Sequence, residues 1–210
     1  MEDFELLAAW RRGDNDAGTQ LFERHYAAVV RFVKNKVANP TELEDVVQQI
    51  FLACVEGRDR FEQRSSFRTY LFGVAHFSLL DHFRRRRRDG AAIDASVTSV
   101  ADLEPSPSLI VARREEQRLV VEGLRQLPLD YQVVLELFYW ERLTGPEIAD
   151  ALTIPEGTVR FRIRRGKELL GQTVRRMQLV GPSHDGDGDL EAWVRAVRQT
   201  LPADGDQRGA

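Results

Sequence analysis

The chain has 210 residues, 42% of them hydrophobic, enough apolar material for one large domain or two small ones. Net charge is only −3 and pI about 5.9, which excludes a uniformly basic nucleic-acid binder. No apolar run approaches the ~20 residues of a membrane span, and the single cysteine excludes an internal disulfide, so the expectation is a soluble, cytoplasmic protein.

The charge is segregated. Residues 58–88 carry nine basic and three acidic side chains, residues 156–176 carry seven and two, and residues 89–155 carry five and twelve. Two cationic blocks in an otherwise acidic chain would meet a polyanion at two places.

Periodicity predicts an all-α protein. A short helix covers 3–12, and a second covers 17–37 with Leu21, Phe22, Tyr26, Val29, Val30 and Val33 turned inward. Asn39-Pro40 breaks it, and Thr41 with Glu44 reads as a capping box opening a third helix to Glu56. That helix sets Asp45, Gln48 and Gln49 on one side and Val46, Val47, Ile50 and Phe51 on the other. Cys54 falls among Phe51, Leu52 and Val55, the surroundings of a packed thiol rather than a reactive one. A polar loop runs from Gly57 to Arg64. Ser65 or Ser66 then caps a fourth helix that ends in five consecutive arginines, Arg84 to Arg88. Its rings Tyr70, Phe72 and Phe77 exceed what one buried face needs. Unpaired bases stack on such rings at about 1–3 kcal/mol each, so arginine plus aromatics suggests partly single-stranded DNA.

From Asp89 to Pro107 the periodicity stops, in a small, acidic stretch read as an interdomain linker. Helices are expected next over 108–124, 129–139, 145–151 and 155–177. Thr144 with Glu147 forms a capping box, Pro146 suits a first turn, and Thr153-Ile154-Pro155 ends that helix. In the last helix Val159, Ile163, Gly166 and Leu170 form a buried stripe. Arg160, Arg164 and Lys167 form another, with Arg162 and Arg165 beside it. Two helices, a tight turn and one-sided arginines make a helix-turn-helix whose second helix lies in a DNA groove. Residues 181–189 read as an acidic spacer. Residues 190–201 read as a short helix with Leu190, Trp193, Val194, Val197 and Leu201 on one face, a candidate regulatory segment.

Four motifs in order give the chain a family resemblance. They are E-D-x-V-Q-Q-x-F at 44–51, F-R-T-Y-L-F at 67–72 leading to D-H-F-R-R-R-R at 81–87, L-x-x-L-P at 124–128, and E-I-A…I-P-E-G-T-V-R-x-R-x-R-R at 147–165. Over about residues 17–177 the chain resembles the extracytoplasmic-function (ECF) sigma factors, promoter-specificity subunits of bacterial RNA polymerase. The resemblance implies two small helical domains: region 2 at 1–88 and region 4 at 108–177, joined by a linker at 89–107, with a C-terminal extension at 178–210. It implies that Glu44, Asp45, Gln48, Gln49 and Phe51 dock on the β′ clamp helices, and that region 4 also meets the β flap. Arg64, Ser65, Phe67, Arg68, His76, Phe77, Arg84 and Arg85 would serve the −10 element, where a base flips out of the opened DNA. Thr158, Arg160, Phe161, Arg164, Arg165 and Lys167 would serve the −35 element. Phe161 stands where the family commonly has a small polar residue; its ring suits a thymine methyl. An anti-sigma factor is a further partner that the resemblance implies.

Other classes fare worse. His25, His76, His82 and His184 are scattered, without paired carboxylates, a Gly-rich phosphate loop or a cysteine cluster. No catalytic residue, metal site, cofactor or small-molecule substrate is expected. The Gly-Asp run at 181–189 lacks the spaced glutamate of a calcium loop. The runner-up is a dimeric helix-turn-helix regulator that binds an operator without polymerase.

Overall fold

The computed structural model describes residues 1–61, 65–86, 95–96, 98–103 and 115–180. The expected helix at 190–201, the spacer before it and Arg64 lie outside the described residues. Helices are α1 (Asp3–Arg11), α2 (Asn15–Lys34), α3 (Pro40–Gly57), α4 (Phe67–Arg86), α5 (Val100–Leu103), α6 (Glu115–Arg125), α7 (Leu129–Tyr139), α8 (Gly145–Leu152) and α9 (Glu156–Val180). Among the described residues the only β pairing is an isolated bridge between Ser99 and Pro128.

Side-chain caps set the starts of α2, α3, α4 and α8. Asp14 accepts from the Ala17 N–H at 3.1 Å, and the Ser66 hydroxyl accepts from the Thr69 N–H at 3.0 Å. The expected Thr41–Glu44 box is replaced by a cap two residues earlier. Pro40 sits in the first turn, and Asn39, extended at ψ 121°, accepts from the N–H groups of Thr41 and Glu42. Proline preselects the helical φ and pushes the residue before it out of the helix, which makes Asn39 the cap. The Thr144–Glu147 box of α8 is present in both directions.

Helices α1 to α4 pack around Leu21, Phe32, Val33, Ile50, Leu71, Phe72, Leu79 and Phe83, all essentially without exposed surface. Tyr26, expected inward, is instead exposed. Helix α1 is tied down by His25, whose Nε2 lies 2.6 Å from an Asp3 carboxylate oxygen, and by Arg11, which donates to the Arg58 carbonyl at 2.7 Å.

The second half has its own core of Val120, Val121, Leu124, Leu127, Leu135, Leu170 and Val174. Its other apolar face does not end there. Leu129, Val133, Val134, Leu137, Leu143, Ile148, Leu152 and Val159 join the core of the first four helices. Gly73 of α4 lies so close to α8 that a Cβ there would sit 2.8 Å from the Ala151 carbonyl oxygen. The two helical domains are therefore docked.

Part of the expected linker is built into this junction. Helix α7 begins after Pro128, which has no side chain to cap it. The carbonyls of Thr98 and Ala95 instead accept from the Leu129 and Asp130 N–H groups, each at 2.9 Å, and Val100 is fully buried. An acidic stretch without periodicity thus satisfies the orphan donors of a helix start.

Two substitutions test the turn geometry of α8. Removing its cap with Thr144→Ala should lower stability by about 1 kcal/mol in urea unfolding. Thr153 ends the helix at φ 55°, ψ 45°, a left-handed conformation that a β-branched residue rarely adopts. Thr153→Gly should therefore raise the unfolding midpoint.

Candidate nucleic-acid and polymerase interface

The turn at Thr153 aims α9 away from α8. The Ile154 N–H returns to the Ala149 carbonyl at 3.0 Å, and Val159, Gly166 and Leu170 are buried along the inner stripe. Arg160, Phe161 and Arg164 face solvent, with Phe161 half exposed at 50%. An open cleft of roughly 610 Å³ lies between this stripe and Phe138, Gly145 and Pro146, and includes Lys167 in its wall. Arg160 pairs with Glu156 and Arg165 with Glu168, each at 3.0 Å across one helical turn. Exposed pairs of this kind are worth at most about 1 kcal/mol, so a phosphate can replace the carboxylate cheaply. Thr158 is half buried at the start of the helix. Arg162 faces the protein and pairs with Asp130 of α7.

Helix α4 divides the residues expected at the −10 element. Phe77 is 49% exposed, Arg84 is exposed, and Arg85 is exposed while paired with Asp81 and 3.2 Å from the Gln49 side-chain oxygen. Ser65 lies at the half-buried approach to the helix. Phe67 does not fit the expectation. It is core, packed against Phe22, His25, Phe61 and Tyr70. His76 does not fit it either, because it is buried. Of the rings thought to be in excess, Phe72 is also core. Arg68 is engaged at 2.6 Å by Glu141, which belongs to the other half of the molecule. An open groove of roughly 640 Å³ runs along the exposed side of α4, past Tyr70, Gly73, Phe77 and Arg85. Asp150, Ala151 and Thr153 at the end of α8 close its far wall.

Helix α3 presents Asp45, Gln48 and Gln49 to solvent as expected from their spacing, and Glu44 with them, while Phe51 is half buried. Beside them lies a second groove of roughly 670 Å³, lined by Phe22, Tyr26, Val47, Phe51, Leu52 and Val55. The Tyr26 and Phe51 rings stack with centroids 5.9 Å apart. Tyr26, Leu52 and Val55 are exposed apolar residues that sequence reasoning assigned to the interior or passed over. Adjacent exposed large residues on α2 and α3 were the available signal. Cys54 points the other way, and burial pushes its thiol up to about 12, so it stays protonated.

The sequence matches Sigma-70 region 2 over residues 21–89 and Sigma-70, region 4 over residues 117–170, together more than half of the chain. It is 27% identical to the ECF RNA polymerase sigma factor SigW of Bacillus subtilis (strain 168), across 79% of this chain and 92% of that one. It is 27% identical to the ECF RNA polymerase sigma-E factor of Escherichia coli (strain K12), across 83% and 95%. The chain belongs to the ECF sigma factors. A further relative of this sigma factor is the RNA polymerase sigma-H factor of Pseudomonas aeruginosa, 29% identical across 82% of this chain and 94% of the relative. Two solved structures share the fold. One is CnrH in complex with the cytosolic domain of CnrY, with TM-score 0.62 and 24% identity over 83% of this chain and 97% of that one. The other is the sigma factor RpoE in complex with the anti-sigma factor NepR from Bartonella quintana, with TM-score 0.57 and 19% identity over 76% and 97%.

His76 gives this sigma factor a pH signature. Burial, reinforced by the positive charges of Lys36, Arg162 and Arg84, lowers its pKa to about 4. Below the ordinary value near 6.5 the unfolded chain takes a proton at this site that the folded chain refuses. Its contribution to stability is therefore intact above pH 6.5 and is lost as pH falls toward 4. In urea unfolding at pH 7 and pH 5, His76→Gln should lose less stability between the two pH values than the natural chain does.

Proposed function

We propose that this sigma factor binds core RNA polymerase and directs promoter-specific initiation, with region 4 reading the −35 element and region 2 opening the −10 element. One observation carries the reading: a region 2 and a region 4 follow each other in one chain, and each presents exposed arginine beside an exposed ring. Arg84, Arg85 and Phe77 belong to the first, and Arg160, Arg164 and Phe161 to the second. Arginines grip phosphates or guanine edges, while Phe77 offers a base a surface to stack on and Phe161 meets a thymine methyl. Two modest sites on one chain bind together far better than either alone once the polymerase fixes their separation.

The polymerase contact is assigned to Glu44, Asp45, Gln48 and Gln49 with the Phe22–Tyr26–Phe51 groove beside them. An apolar groove with a polar rim suits the side of a helical partner, here the β′ clamp helices. Region 4 meets the β flap with its remaining surface. The working units are residues 1–88 for region 2, 89–107 for the connection and 108–177 for region 4. Residues 178–210 form an extension with a regulatory role. An anti-sigma factor is a proposed partner, in keeping with the two similar folds whose structures hold CnrY and NepR. The chain itself catalyses nothing and acts in the cytoplasm, where the polymerase is; among the described residues no helix is long and apolar enough to cross a membrane. The operator-binding dimer loses its footing because the first half, its supposed sensory domain, is a region 2.

In vitro transcription with purified core polymerase on a promoter library tests the reading. Initiation should require this chain and select a subset of promoters. Initiation that proceeds identically without it overturns the proposal. On the selected promoters Arg160→Ala and Arg164→Ala should each weaken binding by about 1–3 kcal/mol at one upstream position. A uniform loss on all sequences would assign them to phosphates instead.

A further inference from the structure

The junction between the halves is charge-segregated. The first half contributes cations: Arg31 and Lys36 at the C-terminal end of α2 and just beyond it, and Arg68 in the first turn of α4. The second half answers with two carboxylates, Glu136 in the last turn of α7 on Lys36 and Glu141 just beyond that helix on the arginines. Glu141 is nearly buried, its side chain 2% exposed. One of its oxygens accepts from Arg31 at 2.9 Å and the other from Arg68 at 2.6 Å. A carboxylate held by two guanidiniums, one on each oxygen, has the charge and donor geometry of a bound phosphodiester. The Phe72 ring lies beneath Arg68, with the guanidinium carbon 5.5 Å from its centroid. The same docking lays the end of α8 along the groove beside α4.

Apolar side chains of similar volume would weld such a junction at least as firmly. Charges leave two surfaces that water and another polyanion can each accept. We propose that Glu141 is an internal phosphate surrogate: it occupies Arg31 and Arg68 while the chain is closed, and a nucleic-acid phosphate takes the same two guanidiniums once the halves part. The inference rests on the promoter-binding reading and adds to it an anion site, Arg31 with Arg68, and a closed state that masks it. Free chain is held off DNA by its own carboxylate, and whatever parts the halves unmasks the site.

The test uses the full-length chain without polymerase and a fluorescent single-stranded oligonucleotide across a salt series. Spin labels at Asp59→Cys and Gln172→Cys report the separation of the halves. The natural chain should show one short separation and weak binding. Glu141→Gln should lengthen the separation and tighten binding about tenfold or more at fixed salt. Gly73→Ala should do the same with every charge intact, because its methyl would meet the Ala151 carbonyl at 2.8 Å only in the closed form; it keeps the idea testable if Glu141→Gln folds poorly. Adding Arg31→Ala to either variant should remove much of the gain and shrink the slope of log affinity on log salt by about one. A natural chain already open, variants that open without tighter binding, variants that stay closed, or a slope that ignores Arg31→Ala would each overturn the proposal. Failure to initiate with core polymerase alongside this affinity pattern sinks the sigma reading alone. Normal initiation without the pattern sinks the surrogate alone.

Discussion

A lysine ammonium with no exposed surface governs how this chain holds together. Lys36 follows the end of α2, donates to the Phe32 carbonyl at 2.9 Å, lies 3.6 Å from the centroid of the Phe32 ring and pairs with Glu136 of α7. Burial pushes its pKa down, against the pull of Glu136 and Glu141. A charge there is tolerable only when paired and hydrogen-bonded. Glu136 is in turn fixed by Gln132, whose amide donates at 2.8 Å to its other oxygen. The ammonium and its carboxylate come from opposite halves, a hundred residues apart, so neither half alone supplies a satisfied interior at this point. Arg125 donating to the Asn35 carbonyl at 2.9 Å, next to Lys36, extends the same dependence to α6.

Helix α4 is where that dependence meets function. Its residues are used on every side. Phe72, Leu79 and Phe83 enter the core of the first four helices, Gly73 lies against α8, and Phe77, Arg84 and Arg85 look outward. A helix with one apolar stripe could not do this. The position of Gly73 shows the constraint most plainly, since the approach of α8 leaves no room for a methyl group. The side chains that hold the second half in place and those proposed to meet nucleic acid alternate along one rod, so moving one set changes access to the other.

Much of this was legible beforehand. The Thr144–Glu147 cap, the bounds of α7, the helix-turn-helix and the outward polar face of α3 all rest on local rules of capping and periodicity, which short stretches of sequence carry in full. Misreadings occurred where a distant partner decided the outcome. Tyr26 falls on the inward stripe of α2 by spacing, yet its ring lies on the surface against Phe51. Phe67 and His76 sit among arginines in sequence but are buried in the fold. Arg162 looks like one more groove-facing cation until Asp130, thirty-two residues away, takes it inward. The stretch around Thr98 lacks any periodic signal because its task is to lend backbone carbonyls, and backbone groups leave no mark on residue type.

The placement of charge explains why so modest a net charge suits a protein built to meet DNA. Cations lodged on internal carboxylates add nothing to the field that a distant phosphate feels, so the closed chain presents less positive potential than its arginines suggest. Surface pairs such as Arg160–Glu156 and Arg165–Glu168 are screened by salt and open to exchange, whereas Lys36–Glu136 is buried and the Glu141 bridge largely so, and both are screened less. Raising ionic strength should therefore weaken the surface pairs, and the DNA grip proposed for them, before it loosens the inner contacts between the halves. The two sets of ion pairs differ in burial rather than in chemistry, and burial alone separates the exposed arginines of α9 from Arg31 and Arg68, which on the proposed mechanism must first be uncovered.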